Sequence, residues 1–567
     1  MRKKAVKSKL KGLDSTRIAV ILCVLTMVIY FLSYMDIKNV HYPLDNVHFF
    51  DSTDDSASEE SILKNIDDST NEESILKDID DSTSEESILN NTEYHSNNEE
   101  SPMNDTEYSS NIIELDYDPY MQLFDAFMKG QLHLDWEVDE KLLELENPYN
   151  LEERTEVNYL WDRAYYDGKY YTYFGITPII TIMFPFYFLS GMLPSPVLIQ
   201  FIYMLIFAIV FPKLLMMLLN RFGEKTPTVL KILITYTAYL SSFDLLIGRG
   251  DAPFYYIACT AAIAFLTWFA YLFFKGVFTD NHKERCIYFL VAGLMFAFSF
   301  HARVNKAFMG VFYIVPIVIF YIILGKQTKK KKLIELGCLG FFVIIGFVIS
   351  FLYNYARFDD ILEFGANYQL TVTDVSAYKL DISEFDDAIE YYYKTELIDN
   401  MMNDRWEFMR DKLKLSKYNL RSVDRYLYVS EHFGLYAVPF MLFSLMAVWI
   451  VFSKKNSWPY KITLVSTVIG GFIMAWLDFC LGGVIFRYLT DFSTEIAVCS
   501  ALVALYILEM TYSMENKKVA MLLKTFVVIV MVVSIYKAVQ ITVIDSEYHL
   551  FDIREKSLIA RLFNVKN

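Results

Sequence analysis

The feature that most constrains this chain is the recurrence of apolar segments that are about as long as a membrane is thick. A helix needs roughly 20 apolar residues to cross a hydrocarbon core of about 30 Å. Hydrophobic residues make up 54% of the 567 residues, more than a soluble domain usually carries. The predicted spans are 17–35, 195–220, 227–247, 252–277, 286–302, 306–324, 333–355, 433–453, 461–480, 484–511 and 520–540. The sequence therefore predicts an all-α polytopic membrane protein with about eleven transmembrane helices.

A twelfth apolar segment, 174–192, differs from the others because it contains Pro178 and Pro185. Two internal prolines break a straight helix, so we expect a re-entrant or interfacial helix here. Lys and Arg favour the cytoplasmic side of a membrane. The basic N-terminus and the lysines at 329–332 are both cytoplasmic only if 174–192 does not cross. This predicts a multi-pass protein of the plasma membrane with a cytoplasmic N-terminus and an extracytoplasmic C-terminus.

The spans and loops divide the chain into seven parts. In chain order these are a cytoplasmic basic N-terminus with the first transmembrane helix (1–39), a disordered acidic spacer (40–110), a first extracytoplasmic loop with interfacial helices and the candidate catalytic site (111–194), a transmembrane core (195–355), a large extracytoplasmic loop (356–432), C-terminal transmembrane helices (433–540) and an extracytoplasmic tail (541–567). Because the long polar loops share one face, chemistry is expected at that face.

The net charge of −16 comes from one short tract. Residues 51–110 hold 19 Asp and Glu and two Lys, a charge of −17, so the other 507 residues sum to +1. Glu-Glu-Ser-Ile-Leu recurs at 59–63, 72–76 and 85–89, a period of 13 residues. Such a polar repeat cannot bury a core, and we interpret it as a disordered spacer. A cation-binding or wall-interacting tail is the alternative.

Several classes of protein are excluded by composition and by missing motifs. A main body of charge +1 is not a basic nucleic-acid binder. The six cysteines are too few for a disulfide framework in a chain of this length and include no Cys-x-x-Cys pair. No Gly-x-x-x-x-Gly-Lys-Ser/Thr loop occurs, which argues against an ATP-driven pump.

Two carboxylates precede a short amphipathic helix in the first extracytoplasmic loop. Asp116 and Asp118 stand just before an apolar pattern of helical spacing at 120–128, which Gly130 is expected to end. Carboxylates at a helix N-terminus can be simple caps. They can also act as a general base that faces a substrate.

The stretch 159–175 is rich in aromatic residues and contains one turn signal. Asp167-Gly168 between aromatic segments predicts a β-hairpin. Tyr and Trp prefer the headgroup zone of a membrane, and aromatic faces also stack on sugar rings. The interfacial interpretation needs no ligand.

Cations recur at the extracytoplasmic ends of the predicted spans. Arg is well suited to gripping phosphate, and a charged group at membrane depth is costly unless it lines a site. The alternative is that these side chains anchor helix ends by reaching toward water. The candidate phosphate-binding residues are Arg249, Arg303, Lys306, Arg357 and Arg487.

Several motifs together resemble the GT-C superfamily of membrane glycosyltransferases, with the protein O-mannosyltransferases and lipid A aminoarabinose transferases as the nearest broad relatives. The matching residues are Asp116-Tyr-Asp118-Pro-Tyr120 with Gly130-Gln131, Asp167-Gly168-Lys169-Tyr170-Tyr171-x-Tyr173-Phe174-x-x-x-Pro178, and Arg487-Tyr488-x-x-Asp491-Phe492. The stretch Tyr355-Ala-Arg357-Phe358 with Glu363-Phe364-Gly365 resembles a subset of bacterial members of uncharacterised substrate.

The resemblance implies a GT-C-like helical bundle with its active site on the extracytoplasmic face. It implies a polyprenyl-phosphate-linked sugar as donor, a glycan, lipid or protein of the cell envelope as acceptor, and an acidic base in the first loop. Carried over, that base is Asp118 or Asp116, where this chain has Asp-Tyr-Asp in place of the usual Asp-Glu pair. No cofactor is implied, because the lipid-linked donor is itself a substrate. No residue is assigned to a metal, and the sequence does not determine whether a divalent metal is required. The candidate substrate-binding residues in the matching motifs are Tyr120, Asp167, Lys169, Tyr171 and Asp491.

Two other classes of function compete with this interpretation. A polytopic transporter or flippase of a lipid-linked glycan should show interrupted segments at matching positions of two halves, and no such symmetry is visible. A non-catalytic surface protein that presents the acidic tract leaves the Arg and Asp residues near the span ends unexplained.

Replacing the candidate bases gives the first test. Asp118→Asn, with Asp116→Asn made in parallel, should abolish sugar transfer because an amide cannot accept the acceptor's proton. Membrane insertion, followed by fractionation, should not change. Full activity in both single variants would contradict the assignment of the base.

Overall fold

The computed structural model describes residues 2–34, 112–113, 119–155, 157–245, 247, 254–325, 327–371, 374–394, 434–451, 458–483 and 486–549. The predicted spacer at 40–110 lies outside the described residues. So do three of the candidate site residues, Asp116, Asp118 and Arg249.

Helices make up most of the described chain. The α-helices are α1 (Arg2–Tyr34), α2 (Pro119–Met128), α3 (Glu140–Glu144), α4 (Phe184–Ser190), α5 (Pro196–Phe222), α6 (Thr228–Ser241), α7 (Phe254–Phe278), α8 (His282–Ala302), α9 (Val304–Leu324), α10 (Lys329–Phe358), α11 (Phe385–Tyr393), α12 (Ala447–Val451), α13 (Trp458–Gly482), α14 (Thr490–Thr511) and α15 (Lys517–His549). A π-helical turn at Ile179–Met183 precedes α4. Short 3-10 helices lie at Glu152–Arg154, Ala366–Tyr368, Val375–Ala377, Ile382–Glu384, Leu435–Ala437, Pro439–Met446 and Phe486–Leu489.

Eight helices in the described part of the chain are long and apolar enough to cross a membrane, by length and composition. They are α5, α7, α8, α9, α10, α13, α15 and the continuous segment Arg487–Thr511 that ends in α14. Each coincides with one of the predicted spans. The predicted fold class, an all-α polytopic integral membrane protein, is confirmed.

The other three predicted spans have shorter apolar helical parts in the described chain. Their apolar parts are Ser15–Phe31 of α1, Thr228–Ser241 of α6, and Pro439–Ile450. Helix α6 ends before the predicted boundary at 247, since Phe243 adopts a left-handed φ of 60° that a helix does not continue through. Pro439–Met446 winds as a 3-10 helix, which rises about 2.0 Å per residue rather than the 1.5 Å of an α-helix. The predicted set of eleven therefore consists of eight helices that are long and apolar enough to cross a membrane and three whose apolar parts are shorter in the described chain.

The proline-containing segment 174–192 forms a broken helix. Its apolar helical part, Ile179–Ser190, changes from π to α geometry next to Pro185, whose missing amide hydrogen leaves a carbonyl of the preceding turn without its usual donor. Gly191 then ends the helix with a φ of 73°. At 1.5 Å per residue this segment is about 18 Å long, well short of the roughly 30 Å core. That this segment does not cross the membrane stays a prediction.

Between α1 and α5 the chain forms a small polar region with two short sheets. Strands β3 (Ala164–Tyr166) and β4 (Lys169–Tyr171) pair antiparallel with Tyr166 opposite Lys169. Both turn residues, Asp167 and Gly168, have positive φ (48° and 69°), as a two-residue hairpin of type I′ requires. The predicted hairpin is confirmed. Strand β1 (Ile112–Ile113) pairs in parallel with β2 (Tyr159–Leu160).

The predicted amphipathic helix is also present. Helix α2 buries Leu123 and Phe124, and Gly130 ends it with a φ of 74° and an amide that donates to the Phe127 carbonyl at 3.1 Å. Phe124 packs on Phe184 and Tyr187, so α2 lies against the broken helix that follows the hairpin.

The spans differ in how much of their surface the bundle covers. Of the apolar window in Arg487–Thr511, 83% is buried within the protein, against 17% for α10 and 22% each for α9 and α15. Helix α14 is therefore central, and its neighbours α9 and α15 keep apolar faces that a membrane would cover. Charged residues that begin α14 are consequently placed inside the bundle.

A glycine next to the hairpin fixes how the polar region joins α8. A Cβ added to Gly175 would lie 1.9 Å from the His301 carbonyl oxygen and 2.6 Å from that of Ala302. The nearby Thr177 hydroxyl donates to the Phe298 carbonyl at 2.6 Å. The backbone of this segment therefore packs directly on the end of α8.

Gly175→Ala should lower stability by about 1–3 kcal/mol or more, since backbone atoms cannot yield as side chains do. The matched control is Gly337→Ala in α10, where an added Cβ meets nothing within 4 Å and alanine favours the helix. Thermal unfolding of the purified proteins in one detergent compares the two. Equal midpoints would contradict the proposed packing.

Candidate functional site

The polar residues that lie deepest in the bundle meet where α8 gives way to α9. Arg303 stands between the two helices in an extended conformation, with φ −157°. Its guanidinium grips Asp491 of α14 in a bidentate ion pair, with Nε to Oδ1 at 2.7 Å and Nη2 to Oδ2 at 2.6 Å. Asp491 is 1% exposed. The structure thus pairs two candidates that the sequence assigned separately, one to phosphate and one to substrate.

One turn further, Lys306 is fully buried and its ammonium group is fully hydrogen-bonded. Its Nζ donates to Glu495 Oε2 at 2.8 Å, to the Thr490 carbonyl at 2.9 Å and to Thr494 Oγ1 at 3.2 Å. Thr494 in turn donates to Asp244 Oδ2 at 2.8 Å. A third contact across the same junction joins Asn305 to Asp478. The Asn305 amide donates to Asp478 Oδ1 at 2.7 Å, and Asp478, near the end of α13, is 1% exposed. Together these contacts tie the α8–α9 junction to α6, α13 and α14.

Arg487 differs from the other cations of this region. Its guanidinium carbon lies 4.4 Å from the centre of the Tyr255 ring and 5.3 Å from that of Tyr488. Within the part of the chain that the structure describes, no carboxylate lies within salt-bridge distance of it. Arg487 is therefore held by aromatic faces, which leaves its N–H groups available to an anion.

A buried carboxylate, Asp162, sits beside this cation–aromatic contact. Its Oδ2 accepts hydrogen bonds from the Tyr173 hydroxyl at 3.1 Å and from the Tyr255 hydroxyl. Burial, and next the Asp162 carboxylate, raise the pKa of Tyr173 well above its ordinary value. The phenol therefore keeps its proton at neutral pH and acts as the donor.

The first turn of α2, directly after Asp118, packs against the same region. The Thr172 hydroxyl donates to the Pro119 carbonyl at 3.4 Å. Arg163, which follows Asp162, donates from Nε to Gln122 Oε1 at 3.0 Å. The chain that follows the two candidate bases is thus held within a few residues of Asp162 and Tyr173.

Arg357 anchors the other side of Thr172. Its Nη1 donates to the Thr172 carbonyl at 2.9 Å, and its guanidinium carbon lies 3.8 Å from the centre of the Tyr353 ring. This side chain is buried, and it joins the end of α10 to the strand that leads to Tyr173. Its predicted role as a phosphate ligand stays a prediction.

The remaining candidates divide between the core and the surface of the polar region. Tyr120 is fully buried and packs on Phe174, with ring centres 5.9 Å apart. Tyr171 packs on Phe358 at 5.3 Å. Asp167 forms the hairpin turn, and Lys169 beside it is exposed. Their assignment to substrate binding stays a prediction. None of the contacts described above joins these four residues to Arg303 or Arg487.

The sequence did not identify as site candidates several residues that the structure places near Arg303 and Arg487. Asp162 and Tyr173 lie in the aromatic stretch, but nothing in their spacing shows that Tyr255, 93 residues beyond Asp162, shares a hydrogen bond with them. Asp478 and Glu495 gave a usable signal, since ionisable residues inside apolar spans are functional or structural centres by default. Among the described residues, no group of three or more His, Cys, Asp or Glu side chains could hold a metal ion.

The buried Lys306–Glu495 pair can be tested by a double-mutant cycle. Lys306→Met or Glu495→Gln alone should cost about 3–5 kcal/mol of unfolding free energy, because each leaves a buried charge unpaired. The double variant should cost less than the sum of the two singles. Lys129→Met is the control, since its bond to Asp125 is about half exposed and should contribute less than about 1 kcal/mol. Additive losses would show that the two buried charges are not coupled.

Comparison with known proteins finds matches among solved structures. No protein-family model and no curated protein matches the chain. Among solved structures, the apo oligosaccharyltransferase of Archaeoglobus fulgidus matches with 13% identity and a TM-score of 0.43, covering 79% of this chain and 55% of that one. Its complex with zinc and sulfate matches with 13% identity and a TM-score of 0.38, covering 70% and 48%.

A third structure is the oligosaccharyltransferase AglB of the same organism with an inhibitory peptide and a dolichol-phosphate, at 12% identity and a TM-score of 0.39, covering 71% and 52%. The chain therefore spans about half the length of the solved structures it matches. At this level of likeness, function has to be argued from this chain's own residues.

Proposed function

We propose that this protein is a GT-C-type membrane glycosyltransferase. It transfers a sugar from a polyprenyl-phosphate-linked donor to an extracytoplasmic acceptor, which is a glycan, lipid or protein of the cell envelope. The donor and the acceptor's hydroxyl or amine meet at the end of the bundle where Asp162, Arg303 and Arg487 lie.

The single observation that carries the proposal is the state of Arg487. It is a guanidinium at the end of a central helix, stacked on two tyrosines, with no carboxylate partner among the described residues. Arg487 is partly buried, and withdrawing a cation from water without a counter-charge is costly. An anion that enters this place would supply the missing charge, and the planar guanidinium suits a phosphate oxygen pair.

The neighbouring cations support this choice by contrast. Arg303 and Lys306 are neutralised by Asp491 and Glu495, so they shape the site rather than offer it charge. Arg357 donates hydrogen bonds to the Thr172 carbonyl and to the Asn354 side chain. Arg487 is therefore the strongest candidate for the donor phosphate within the described chain. Arg249, which lies outside the described residues, is a second candidate in this proposal.

The chemistry follows from this placement. The base, Asp118 or Asp116, takes the proton of the acceptor group as that group attacks the anomeric carbon of the donor sugar. The bond between the anomeric carbon and the phosphate oxygen breaks, and its electron pair goes to the polyprenyl phosphate. Arg487 stabilises the negative charge that develops on that phosphate. The apolar faces of the surrounding spans suit a donor whose lipid tail stays in the membrane.

The position of the two candidate bases along the sequence fits this scheme. They directly precede α2, whose first residue Pro119 contacts Thr172, the neighbour of Tyr173. Tyr173 donates to Asp162, and Asp162 also binds the tyrosine that carries Arg487. A short series of contacts thus connects Pro119, the residue that follows Asp118 in the sequence, to the proposed phosphate site.

Removing the free guanidinium tests the proposal. Arg487→Ala should lower transfer by a factor of about 10 to 150, the value of charge-assisted hydrogen bonds of about 1.5–3 kcal/mol. Arg487→Lys should recover part of the loss, because lysine keeps the charge without the two-pronged geometry. The readout is mass analysis of envelope glycans and lipids from cells that carry each variant or lack the gene.

Arg221→Ala is the matched control. Arg221 also lies over an aromatic ring, that of Phe278 at 5.4 Å. It stands in the last turn of α5 and belongs to none of the contacts of the proposed site. It should transfer sugar at the parent rate. A hexose-type mass difference that survives Arg487→Ala would contradict the assignment of the phosphate site. Accumulation of a lipid-linked glycan on one leaflet, without any lost transfer product, would favour a flippase instead.

A further inference from the structure

Asp162 occupies an unusual and closely fixed position in the chain. It is 5% exposed and adopts a left-handed φ of 55°, a conformation that non-glycine residues rarely take. Its amide donates to the Leu370 carbonyl at 2.9 Å, and the Leu370 amide donates to the next carbonyl, that of Arg163, at 2.9 Å. Two hydrogen bonds to a distant loop therefore hold the backbone in a strained conformation.

The Asp162 side chain joins two parts of the protein through one oxygen atom. Oδ2 accepts the Tyr173 hydroxyl, which follows the hairpin, and the Tyr255 hydroxyl, which lies in the first turn of α7. No cation of the described chain lies within salt-bridge distance of this carboxylate. Its charge is therefore stabilised by phenol hydrogen bonds, and these hydrogen bonds fix the two rings.

Tyr255 is the ring on which Arg487 rests, at 4.4 Å. A phenol that donates to a carboxylate cannot rotate freely, and the added electron density strengthens the attraction of its face for a cation. The orientation of the Tyr255 ring in turn limits where the guanidinium can lie. Tyr173 shares the same carboxylate oxygen, but the described cation–ring contacts of Arg487 are to Tyr255 and Tyr488.

We infer that Asp162 is a positioning residue that sets the Arg487 guanidinium for a phosphate ligand through the hydroxyl and ring of Tyr255. This inference rests on the proposed phosphate site and adds to it the device that orients the cation. Asp162 has no assigned contact with the reacting atoms. Its effect should appear in ligand affinity and should depend on the Tyr255 hydroxyl.

The test uses the purified full-length protein in detergent and a short-chain polyprenyl phosphate, with binding measured by calorimetry. Asp162→Asn and Tyr255→Phe should each weaken binding by about three- to tenfold, the value of one hydrogen bond. The double variant should bind no more weakly than the weaker single variant, because both changes break the same link. Tyr255→Leu, which also removes the ring, should bind more weakly than Tyr255→Phe.

Tyr173→Phe is the matched control because it removes the other hydrogen bond to the same oxygen. It should lower the thermal midpoint as much as Tyr255→Phe does but weaken binding less, a split that a merely structural role would not produce. Tyr255→Phe keeps the packing of the ring, so the link can be tested even if Asp162→Asn folds poorly.

The binding measurements separate the proposed phosphate site at Arg487 from the positioning role of Asp162. If Arg487→Ala binds the polyprenyl phosphate as tightly as the parent, the phosphate site itself is wrong. If Arg487→Ala loses more than about tenfold while Asp162→Asn and Tyr255→Phe bind as the parent does, the site stands and the positioning role is overturned. Independent, multiplying losses from Asp162→Asn and Tyr255→Phe would also overturn it.

Discussion

The ion pairs at the junction of α8 and α9 are the interaction on which the rest of the arrangement depends. Arg303 with Asp491, and Lys306 with Glu495, place two cations and two carboxylates inside an apolar bundle. In such surroundings each charge is tolerable only while its partner stays in contact. The register of α9 against α14 is consequently fixed at this end. The position of the 3-10 helix Phe486–Leu489, which leads into α14, is fixed with it.

The residues of the proposed site are connected to these ion pairs by a series of contacts. Arg487 and Tyr488 precede α14 directly, and the Tyr255 ring at the start of α7 receives the guanidinium. Asp162 then connects α7 to the hairpin region. Arg357 and Pro119 meet at the two sides of Thr172. These contacts attach the polar region between α1 and α5 to the bundle at several points. Such attachment keeps the residues of the proposed site in a fixed geometry.

Arg487 differs from Arg303, Lys306 and Arg357 because no hydrogen bond or ion pair within the described chain occupies its guanidinium. Sequence alone grouped five cations as equivalent candidates, because each stands near the end of an apolar segment. In the structure, Arg303 and Lys306 have carboxylate partners nearly 190 residues away, and Arg357 is bound to backbone and amide oxygens. Which cation remains available to a ligand is decided by these pairings, and no local pattern reveals them.

The sequence by itself determined the class of this protein, eight of its long spans, the helix at 119–128, the hairpin at Asp167-Gly168 and the broken helix after Pro178. These features depend on local causes: apolar length, helical spacing, positive φ at glycine and the missing amide hydrogen of proline. Only the tertiary structure decided the pairing of Arg303 with Asp491, the shared carboxylate of Asp162 and the isolation of Arg487. The Asp162–Tyr255 and Arg303–Asp491 contacts join residues 93 and 188 positions apart, and their formation depends on how whole helices pack rather than on any pattern along the chain.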